Sequence, residues 1–338
     1  MKHIAILGAG SWGTALSVVL SSARKPHEIA LWARNAVFAE TLQRQRENGA
    51  YLAGIPLPEG VRVTNKMPEA LTAAQIVIGA VPSRHARAVY TEALPSITRE
   101  MIFISATKGL EPSTHLRTSL VLAQVLKKAG TVEASERIAV LSGPSFAAET
   151  ARGEPTAVVL AAHDAELASR LQGELSGPSF RLYTNEDVLG VELAGAMKNV
   201  MAIAAGACQG LGLGSNPLAA LITRGLAEMM RLAAALGARP ETLSGLAGLG
   251  DLVLTCTGAL SRNRHVGIEL GKGRKLREIL AGMRMVAEGV ETAAPLLELA
   301  HEHGIEMPIT EQVDAILHGG KSPKQAIREI MDRPLKRE

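Results

Sequence analysis

Residues 4–14 of the chain read Ile4-Ala-Ile-Leu-Gly8-Ala-Gly10-Ser-Trp-Gly13-Thr14. This stretch places a GxGxxG pattern directly after a short β-rich run and directly before a helical run over 14–22. Gly8 allows a tight turn, Gly10 lets a pyrophosphate approach the main chain, and Gly13 permits close helix packing. The amides at the helix N-terminus favour an anion there. The stretch therefore predicts a βαβ unit that binds a dinucleotide, with FAD less favoured than a nicotinamide cofactor.

Short apolar runs typical of buried strands recur through the first half of the chain. They cover 4–7, 28–33, 61–64, 76–81, 101–105, 138–141, 156–161 and 180–183. Continuous apolar strands predict a buried, mainly parallel sheet. After residue 184 the sequence becomes rich in Ala, Leu and Gly, without strand signals. We therefore predict an α/β protein with a Rossmann-type, doubly wound, mainly parallel sheet over 1–185, followed by an all-α domain over 186–338 and a cleft where the two meet.

Composition limits the classes of protein that fit. The chain has 338 residues, of which 47% are hydrophobic and 20% charged, and this excludes disordered, collagenous and coiled-coil classes. The net charge is +3 and the basic residues are scattered, so we expect neither a nucleic-acid partner nor a polybasic membrane patch. Cys208 and Cys256 lie far apart and predict neither a disulfide framework nor a zinc site, which favours a reducing cytoplasm.

Two apolar segments imitate targeting or membrane sequences. The apolar start of the chain resembles a signal peptide, but the glycines at 8, 10 and 13 interrupt it and no small-residue cleavage motif follows. The most apolar later stretch, 200–214, is shorter than the ~20 residues that cross a bilayer. We expect both segments to be part of a folded protein without a membrane span.

Arg34 stands near the end of the second predicted strand, where an NAD-selective fold usually carries an acid. An arginine there can neutralise a 2′-phosphate and stack on adenine. The sequence therefore predicts that NADP is accepted at least as well as NAD. The alternative is a solvated surface arginine.

Lys198 and Asn199 lie within an otherwise apolar helical stretch. Burial of a lysine favours its neutral form, so Lys198 can donate and accept a proton near neutral pH, while Asn199 can orient a ligand hydroxyl. The alternative is an amphipathic helix from which Lys198 reaches solvent.

Other polar segments suit the same chemistry. Lys108 follows the end of a strand, where open α/β sheets bind ligands. Asp251 and Thr255 share one helical face, although Asp251 could equally be an N-cap. Residues 261–265 read Ser-Arg-Asn-Arg-His, a donor set that suits a phosphate monoester, or alternatively a solvated basic loop.

Several patterns do not support a site. The glycines of 267–273 have the wrong spacing for a phosphate loop. His301 and His303 are two residues apart on a predicted helix and no HExxH occurs, so we expect no metal.

Seven segments taken together resemble the bacterial NAD(P)-dependent glycerol-3-phosphate dehydrogenases. They are residues 8–13, 81–83, 106–109, 141–147, 196–200, 248–251 and 261–264. The resemblance spans nearly the whole chain in the family's order. The Ser-Gly-Pro-Ser-Phe-Ala segment at 142–147 and the Lys-Asn-Val segment at 198–200 are more specific than the glycine pattern.

The resemblance implies reversible reduction of dihydroxyacetone phosphate to sn-glycerol 3-phosphate for phospholipid biosynthesis, by a cytoplasmic homodimer. It implies that Lys198 donates the proton to the C2 oxygen, that Lys108 contacts the substrate and the nicotinamide side, and that Asp251 holds this network. Two alternatives stay open: a ketopantoate or 3-hydroxyacid type of reductase, and a dinucleotide sensor without catalysis.

The residues and the resemblance together give two expected sets. The catalytic and substrate set is Lys108, Gly143, Ser145, Lys198, Asn199, Asp251, Thr255, Ser261, Arg262 and Asn263. The cofactor set is Gly8, Gly10, Ser11, Trp12, Gly13, Arg34, Lys108, Ala147, Arg262, Val286 and Glu288. Relatives vary at the position of Arg34, and some carry histidine, so the balance between NADH and NADPH stays open.

Overall fold

A computed structural model describes residues 2–128, 134–335 and 337 of the chain. The chain divides into two compact units, Met1–Glu192 (unit 1) and Leu193–Glu338 (unit 2). The division falls inside one long helix, Val188–Gly210. The domain boundary that the sequence suggests after residue 185 stays a prediction.

Unit 1 alternates strands and helices. Its strands are β1 (Lys2–Leu7), β2 (His27–Trp32), β3 (Glu47–Asn48), β4 (Leu52–Pro56), β5 (Val61–Thr64), β6 (Ile76–Gly79), β7 (Ile102–Ser105), β8 (Ile138–Ser142), β9 (Thr156–Ala162) and β10 (Phe180–Asn185). Its helices are α1 (Ser11–Ser21), α2 (Ala36–Gln45), α3 (Met67–Leu71), α4 (Ser83–Ala93), α5 (Thr118–Lys128), α6 (Ala147–Ala151) and α7 (Ala165–Leu175), with 3₁₀ turns at Leu94–Ser96 and Ala134–Arg137.

Eight of these strands form one sheet in the order β10-β9-β8-β7-β6-β1-β2-β5. Neighbouring strands run parallel, except that β8 and β9 are antiparallel. Each of the eight predicted strand segments lies in this sheet, so the prediction of a mainly parallel Rossmann-type sheet is confirmed. The short antiparallel hairpin of β3 and β4 was not predicted.

The sheet is buried on both faces because helices pack on each side. Along β1, Ile4 and Ile6 join one hydrophobic cluster, while Ala5 and Leu7 join the other. This alternation explains why the strand is apolar throughout. Gly8 directly follows β1, Arg34 lies two residues beyond β2, and Lys108 lies three residues beyond β7. All three follow the carboxyl ends of parallel strands, which lie at the same edge of the sheet.

Unit 2 is helical. Its elements are α8 (Val188–Gly210, which begins in unit 1), α9 (Ser215–Ala235), α10 (Pro240–Ser244), a π-helical turn at Leu246–Gly250, α11 (Asp251–Thr257), α12 (Arg262–Gly271), α13 (Leu276–Ala281), α14 (Glu288–Glu302), α15 (Pro308–Leu317) and α16 (Pro323–Met331). No strand occurs among the residues described after Asn185, and the all-α prediction is confirmed. The two Trp, three Tyr and four Phe of the chain all lie before residue 193, so aliphatic and Met side chains form the core of unit 2.

Helices α8 and α12 approach each other closely through glycines. An added Cβ at Gly206 would lie 2.0 Å from the carbonyl oxygen of Arg264, and one at Gly267 would lie 2.0 Å from that of Ile203. Gly210 and Gly271 repeat this contact one turn further on. Gly267 and Gly271, two of the glycines that have the wrong spacing for a phosphate loop, therefore serve helix packing.

Helix α8 is long and apolar enough to cross a membrane, with a mean hydropathy of 1.4 over its best window. The expectation of a shorter apolar stretch, 200–214, was wrong in its bounds, because the apolar helix begins at Val188. Of that window, 94% is buried inside the protein, as in the core helix of a globular domain. The helix carries Lys198 and Asn199 within this buried environment.

Candidate active site

The glycine-rich loop between β1 and α1 has the geometry that its sequence predicts. Gly8 has a φ of +114°, and a Cβ there would lie 2.6 Å from the carbonyl oxygen of Ala80. A Cβ at Gly13 would lie 1.8 Å from the carbonyl oxygen of Gly8. Gly10 has nothing within 4 Å of an added Cβ. Two glycines thus allow the turn and the helix packing, and the third leaves the main chain open to a ligand.

Polar groups at the start of α1 fit the pyrophosphate of a dinucleotide. Gly10 is the N-cap residue and supplies no side chain to the first amides of the helix, which begins at Ser11. The indole Nε1 of Trp12 is buried and has no hydrogen-bond partner among the residues that the structure describes. Open amides and an unused donor are the groups that an anionic cofactor requires.

Arg34 lies two residues beyond β2 and is exposed. The next residue, Asn35, caps α2 by accepting a hydrogen bond from the amide of Phe38 at 2.8 Å. Arg34 therefore stands at the end of the second parallel strand, as predicted. Its exposure is compatible with a 2′-phosphate ligand and equally with a solvated arginine.

A second polar group in unit 1 connects the ends of β7 and β8. The Nζ of Lys108 donates to the carbonyl oxygen of Gly143 at 2.8 Å, and the hydroxyl of Ser145 donates to the same oxygen at 2.9 Å. Gly143 has a φ of +130°, and a Cβ there would lie 3.0 Å from the Cα of Val158. Ala147 begins α6 directly after this turn. The structure thus brings Lys108 to Gly143 and Ser145, although Lys108 precedes Gly143 by 35 residues in the chain.

The central group of unit 2 is a buried ion pair. The Nζ of Lys198 lies 3.0 Å from Oδ1 of Asp251, and their side chains are only 8% and 2% exposed. Lys198 also donates to Oγ1 of Thr255 at 2.7 Å, and that hydroxyl donates to the carbonyl oxygen of Asp251 at 2.6 Å. The two alternative interpretations, a solvent-reaching Lys198 and an N-cap Asp251, are both wrong, because the residues pair with each other in the core and Gly250 is the N-cap of α11.

The thiol beside this pair does not provide a nucleophile. Cys256 is fully buried, and burial raises the pKa of its thiol to about 12. The thiol is therefore protonated at neutral pH. Cys256 therefore supplies no thiolate, and Lys198 is the candidate proton donor of this cluster.

Asparagines connect the lysine helix to two further segments of unit 2. Asn263 donates from Nδ2 to Oδ1 of Asn199 at 2.9 Å, and its own Oδ1 accepts from the amide of Gly289 at 2.9 Å. A Cβ at Gly289 would lie 2.6 Å from the carbonyl oxygen of Asn199. The first turns of α12 and α14 are thus fixed against α8. Both asparagines were predicted site residues, but their link to Gly289 was not predicted, because no spacing in the sequence signals it.

Residues 261–265 form the start of a helix, so the alternative interpretation as a solvated loop is wrong. The hydroxyl of Ser261 caps α12 by accepting from the amide of Arg264 at 3.2 Å. Arg262 is solvent-accessible, and partial desolvation lowers the pKa of its guanidinium while the charge of Glu288 opposes this effect. Val286 is half-buried, and Glu288 begins α14. A cationic side chain at a helix N-terminus suits a phosphate.

One polar residue in unit 1 was missed altogether. Asn48 in the β3–β4 hairpin is buried and donates hydrogen bonds to Ala9 and Thr14 of the glycine-rich region. A lone asparagine about 40 residues downstream of the loop gives no sequence signal.

Across residues 2–128, 134–335 and 337, no group of three or more His, Cys, Asp or Glu could hold a metal ion.

Family comparisons cover both units. Residues 3–168 match the family described as NAD-dependent glycerol-3-phosphate dehydrogenase N-terminus, and residues 187–328 match the corresponding C-terminus family. A protein of Koribacter versatilis named glycerol-3-phosphate dehydrogenase [NAD(P)+] is 54% identical over 335 residues, which are 99% of this chain and 98% of the relative.

A solved structure of the same family covers nearly the whole chain. The crystal structure of glycerol-3-phosphate dehydrogenase from Coxiella burnetii has a TM-score of 0.91 and 42% identity, and the match covers 98% of this chain and 99% of that one. A ketopantoate reductase from Ralstonia eutropha reaches a TM-score of 0.61 at 15% identity, with 96% and 100% of the chains covered. The second similarity shows a shared fold alone.

Proposed function

The chain belongs to the NAD-dependent glycerol-3-phosphate dehydrogenase family, and from this premise we propose how its residues perform the reaction. The protein is an oxidoreductase that uses NAD or NADP and acts on a small phosphate substrate. The reaction is the reversible reduction of dihydroxyacetone phosphate to sn-glycerol 3-phosphate, the step that supplies the backbone of phospholipids. The observation that carries the residue assignment is the buried Lys198–Asp251 pair.

Lys198 is the proposed proton donor and acceptor. The bound nicotinamide cofactor supplies or takes up the hydride at C2 of the substrate. Lys198 donates its proton to the C2 oxygen during reduction and takes it back during oxidation. Asp251 and Thr255 hold the ammonium at 3.0 and 2.7 Å, which fixes its direction and stabilises its charge in a buried position.

The substrate phosphate is proposed to bind at the start of α12. Arg262 offers a guanidinium, Ser261 a hydroxyl and Asn263 an amide, and these groups suit three anionic oxygens. Asn199 orients the substrate hydroxyl from the adjoining helix. Binding energy from the phosphate, remote from C2, then orients the carbonyl for reaction.

Most of the proposed cofactor residues belong to unit 1. Gly8, Gly10, Ser11, Trp12 and Gly13 receive the pyrophosphate, and Arg34 receives a 2′-phosphate, so we expect NADPH to be accepted at least as well as NADH. Lys108, Gly143 and Ser145 are proposed to contact substrate, and Ala147, Val286 and Glu288 to contact cofactor. Residues 1–185 are then the dinucleotide-binding domain and 186–338 the helical substrate and catalytic domain.

The deciding experiment measures oxidation of NADPH and, separately, NADH with dihydroxyacetone phosphate. Unphosphorylated dihydroxyacetone and ketopantoate are the controls. We expect turnover that requires the phosphate. Turnover with ketopantoate instead would favour the other reductase class, and cofactor binding without any turnover would favour a sensor. The ratio of the NADPH rate to the NADH rate is measured for wild type and for Arg34→Ala. The difference between the two ratios tests the role of Arg34.

A cytoplasmic homodimer is the proposed state of the enzyme. The family resemblance supports the dimer, and two free, buried cysteines are compatible with a reducing compartment. Sedimentation equilibrium of the purified protein should give the mass of two chains. A single-chain mass at micromolar concentration would contradict the dimer without affecting the assigned reaction.

A further inference from the structure

Asn48 is a buried polar residue outside every segment on which the family resemblance rests. It ends β3, stands opposite Leu52 of β4, and is 1% exposed. Its carboxamide makes hydrogen bonds at all three of its principal positions. A buried amide with this complete set of partners is held in one orientation.

Both hydrogens of the amide go to the glycine-rich region. Nδ2 donates to the carbonyl oxygen of Ala9 at 3.0 Å and to the hydroxyl of Thr14 at 2.8 Å. The Oδ1 of Asn48 accepts from the amide of Tyr51 at 3.1 Å, within the hairpin turn. One side chain therefore ties the hairpin to the loop and to the first turn of α1.

The contact with Ala9 has a consequence for the next amide. In a trans peptide the C=O of Ala9 and the N–H of Gly10 point in opposite directions. When Asn48 holds the Ala9 oxygen toward the hairpin, the Gly10 N–H must point away from it. The space around Gly10 is open to 4 Å from an added Cβ, so a ligand can reach this main chain. An amide fixed before binding loses no orientational freedom when the ligand arrives.

We propose that Asn48 is a positioning residue of the dinucleotide site: it sets the direction of the Gly10 N–H toward the pyrophosphate without touching the cofactor. This inference rests on the proposed function, because it takes the glycine-rich loop as the cofactor site. Thr14 takes part as the second anchor, through which the same carboxamide fixes the first turn of α1.

The test separates the two ends of the carboxamide. Asn48→Asp keeps the shape and the acceptor for Tyr51 but removes both donors to the glycine-rich region. We expect the Kd of NADPH, measured by titration calorimetry, and its KM to rise about tenfold. The kcat with dihydroxyacetone phosphate at saturating NADPH should stay within about twofold of wild type. Adenosine 2′-phosphate, which has no pyrophosphate, should bind with unchanged Kd.

Two further variants make the comparison specific. Gln172 is another amide of unit 1, and it donates to the carbonyl oxygen of Leu182 at 2.8 Å. Gln172→Glu makes the same amide-to-carboxylate change there. We expect this variant to bind NADPH like wild type. Thr14→Val removes one anchor without adding a charge. Thr14→Val should also raise the Kd of NADPH, by a smaller factor than Asn48→Asp. If Asn48→Asp does not fold, Thr14→Val supplies the test.

Specific outcomes would overturn the inference. An unchanged Kd of NADPH in both Asn48→Asp and Thr14→Val, with a lower urea midpoint, would make Asn48 a structural residue only. Equal weakening of NADPH and adenosine 2′-phosphate would indicate general distortion of unit 1. Absence of wild-type turnover would contradict the proposed reaction alone, because the comparison of NADPH Kd values does not depend on turnover.

Discussion

At the scale of single residues, the environment of Lys198 determines what the site can do. The Lys198 ammonium is 8% exposed, and a carboxylate at 3.0 Å and a hydroxyl at 2.7 Å stabilise its charge. A buried lysine with fixed partners is therefore suited to proton transfer, whereas a surface lysine would be mobile and hydrated.

Lys198→Met should lower kcat by about 10³-fold, because it removes the proposed proton donor while keeping an unbranched side chain of similar length. The Kd of NADPH should stay within about twofold. Steady-state rates and titration calorimetry measure the two quantities. Lys272→Ala is the matched control, since this lysine is 56% exposed and pairs with Glu269 on the surface. Wild-type kcat in Lys198→Met would contradict the assignment.

At the scale of elements, the contact between α8 and α12 depends on residues without side chains. Gly206 and Gly267 let the two backbones meet, and this places Asn199 within hydrogen-bond distance of Asn263. A methyl group at either glycine would separate the helices or bend them. The packing of two helices thus determines the geometry of the proposed substrate residues.

Gly206→Ala should lower the free energy of unfolding by about 1–3 kcal/mol, because the added methyl would lie 2.0 Å from a carbonyl oxygen. Gly173→Ala is the matched control on α7, where the glycine is exposed and an added Cβ meets nothing within 4 Å. That change should raise the free energy by about 0.5–1 kcal/mol, since alanine favours the helix. Urea unfolding measures both. Equal effects at the two positions would refute the close-contact explanation.

Glu228 connects α9 to the start of α15. Its carboxylate is 2% exposed and accepts from the amides of Ile309 at 2.6 Å and Thr310 at 3.3 Å. Burial raises the pKa of this carboxyl to about 7 from an ordinary 4.5, although the donors oppose the shift. The folded protein therefore holds this proton more tightly than the unfolded chain.

Ionisation of Glu228 lowers the stability of the folded protein. The contribution of Glu228 to stability is fully present below about pH 4.5 and is lost as the pH rises through about 7. Glu228→Gln keeps an oxygen acceptor but does not ionise. Between pH 5 and 8 we expect the free energy of unfolding of wild type to fall by up to about 3 kcal/mol more than that of Glu228→Gln. Urea unfolding at several pH values measures the difference. Parallel pH profiles of the two proteins would show that Glu228 does not titrate in this range.

The sequence predicted the elements better than the contacts between them. Apolar runs identified the strands of the sheet, and a lone lysine in an apolar helix identified Lys198, because both signals are local. The hairpin of β3 and β4 was missed since a two-residue strand has no periodicity. Gly206 and Gly267 gave no signal of contact because their partners lie some 60 residues away in the chain. Asn48 was missed for the same reason.

At the scale of the whole molecule, cofactor binding should couple to stability. A ligand that binds the folded protein only, at 100 times its Kd, adds about 2.7 kcal/mol to the free energy of unfolding. Scanning calorimetry with NADPH should therefore show a higher transition temperature. FAD at the same concentration is the control. If the glycine-rich loop bound FAD, the less favoured interpretation, FAD would raise the transition temperature and NADPH would not. A shift with FAD and none with NADPH would contradict the assigned cofactor.

The uneven distribution of aromatic residues makes the two units differ in their spectroscopic signals. Trp12, Trp32 and every Tyr and Phe belong to unit 1, so near-ultraviolet absorbance and intrinsic fluorescence arise from that unit alone. Amide circular dichroism, in contrast, has contributions from the helices of both units. Unlabelled protein thus carries one signal for the nucleotide-binding half and another for the whole chain. Comparing the two signals along one denaturation curve distinguishes concerted unfolding of the units from unfolding in sequence.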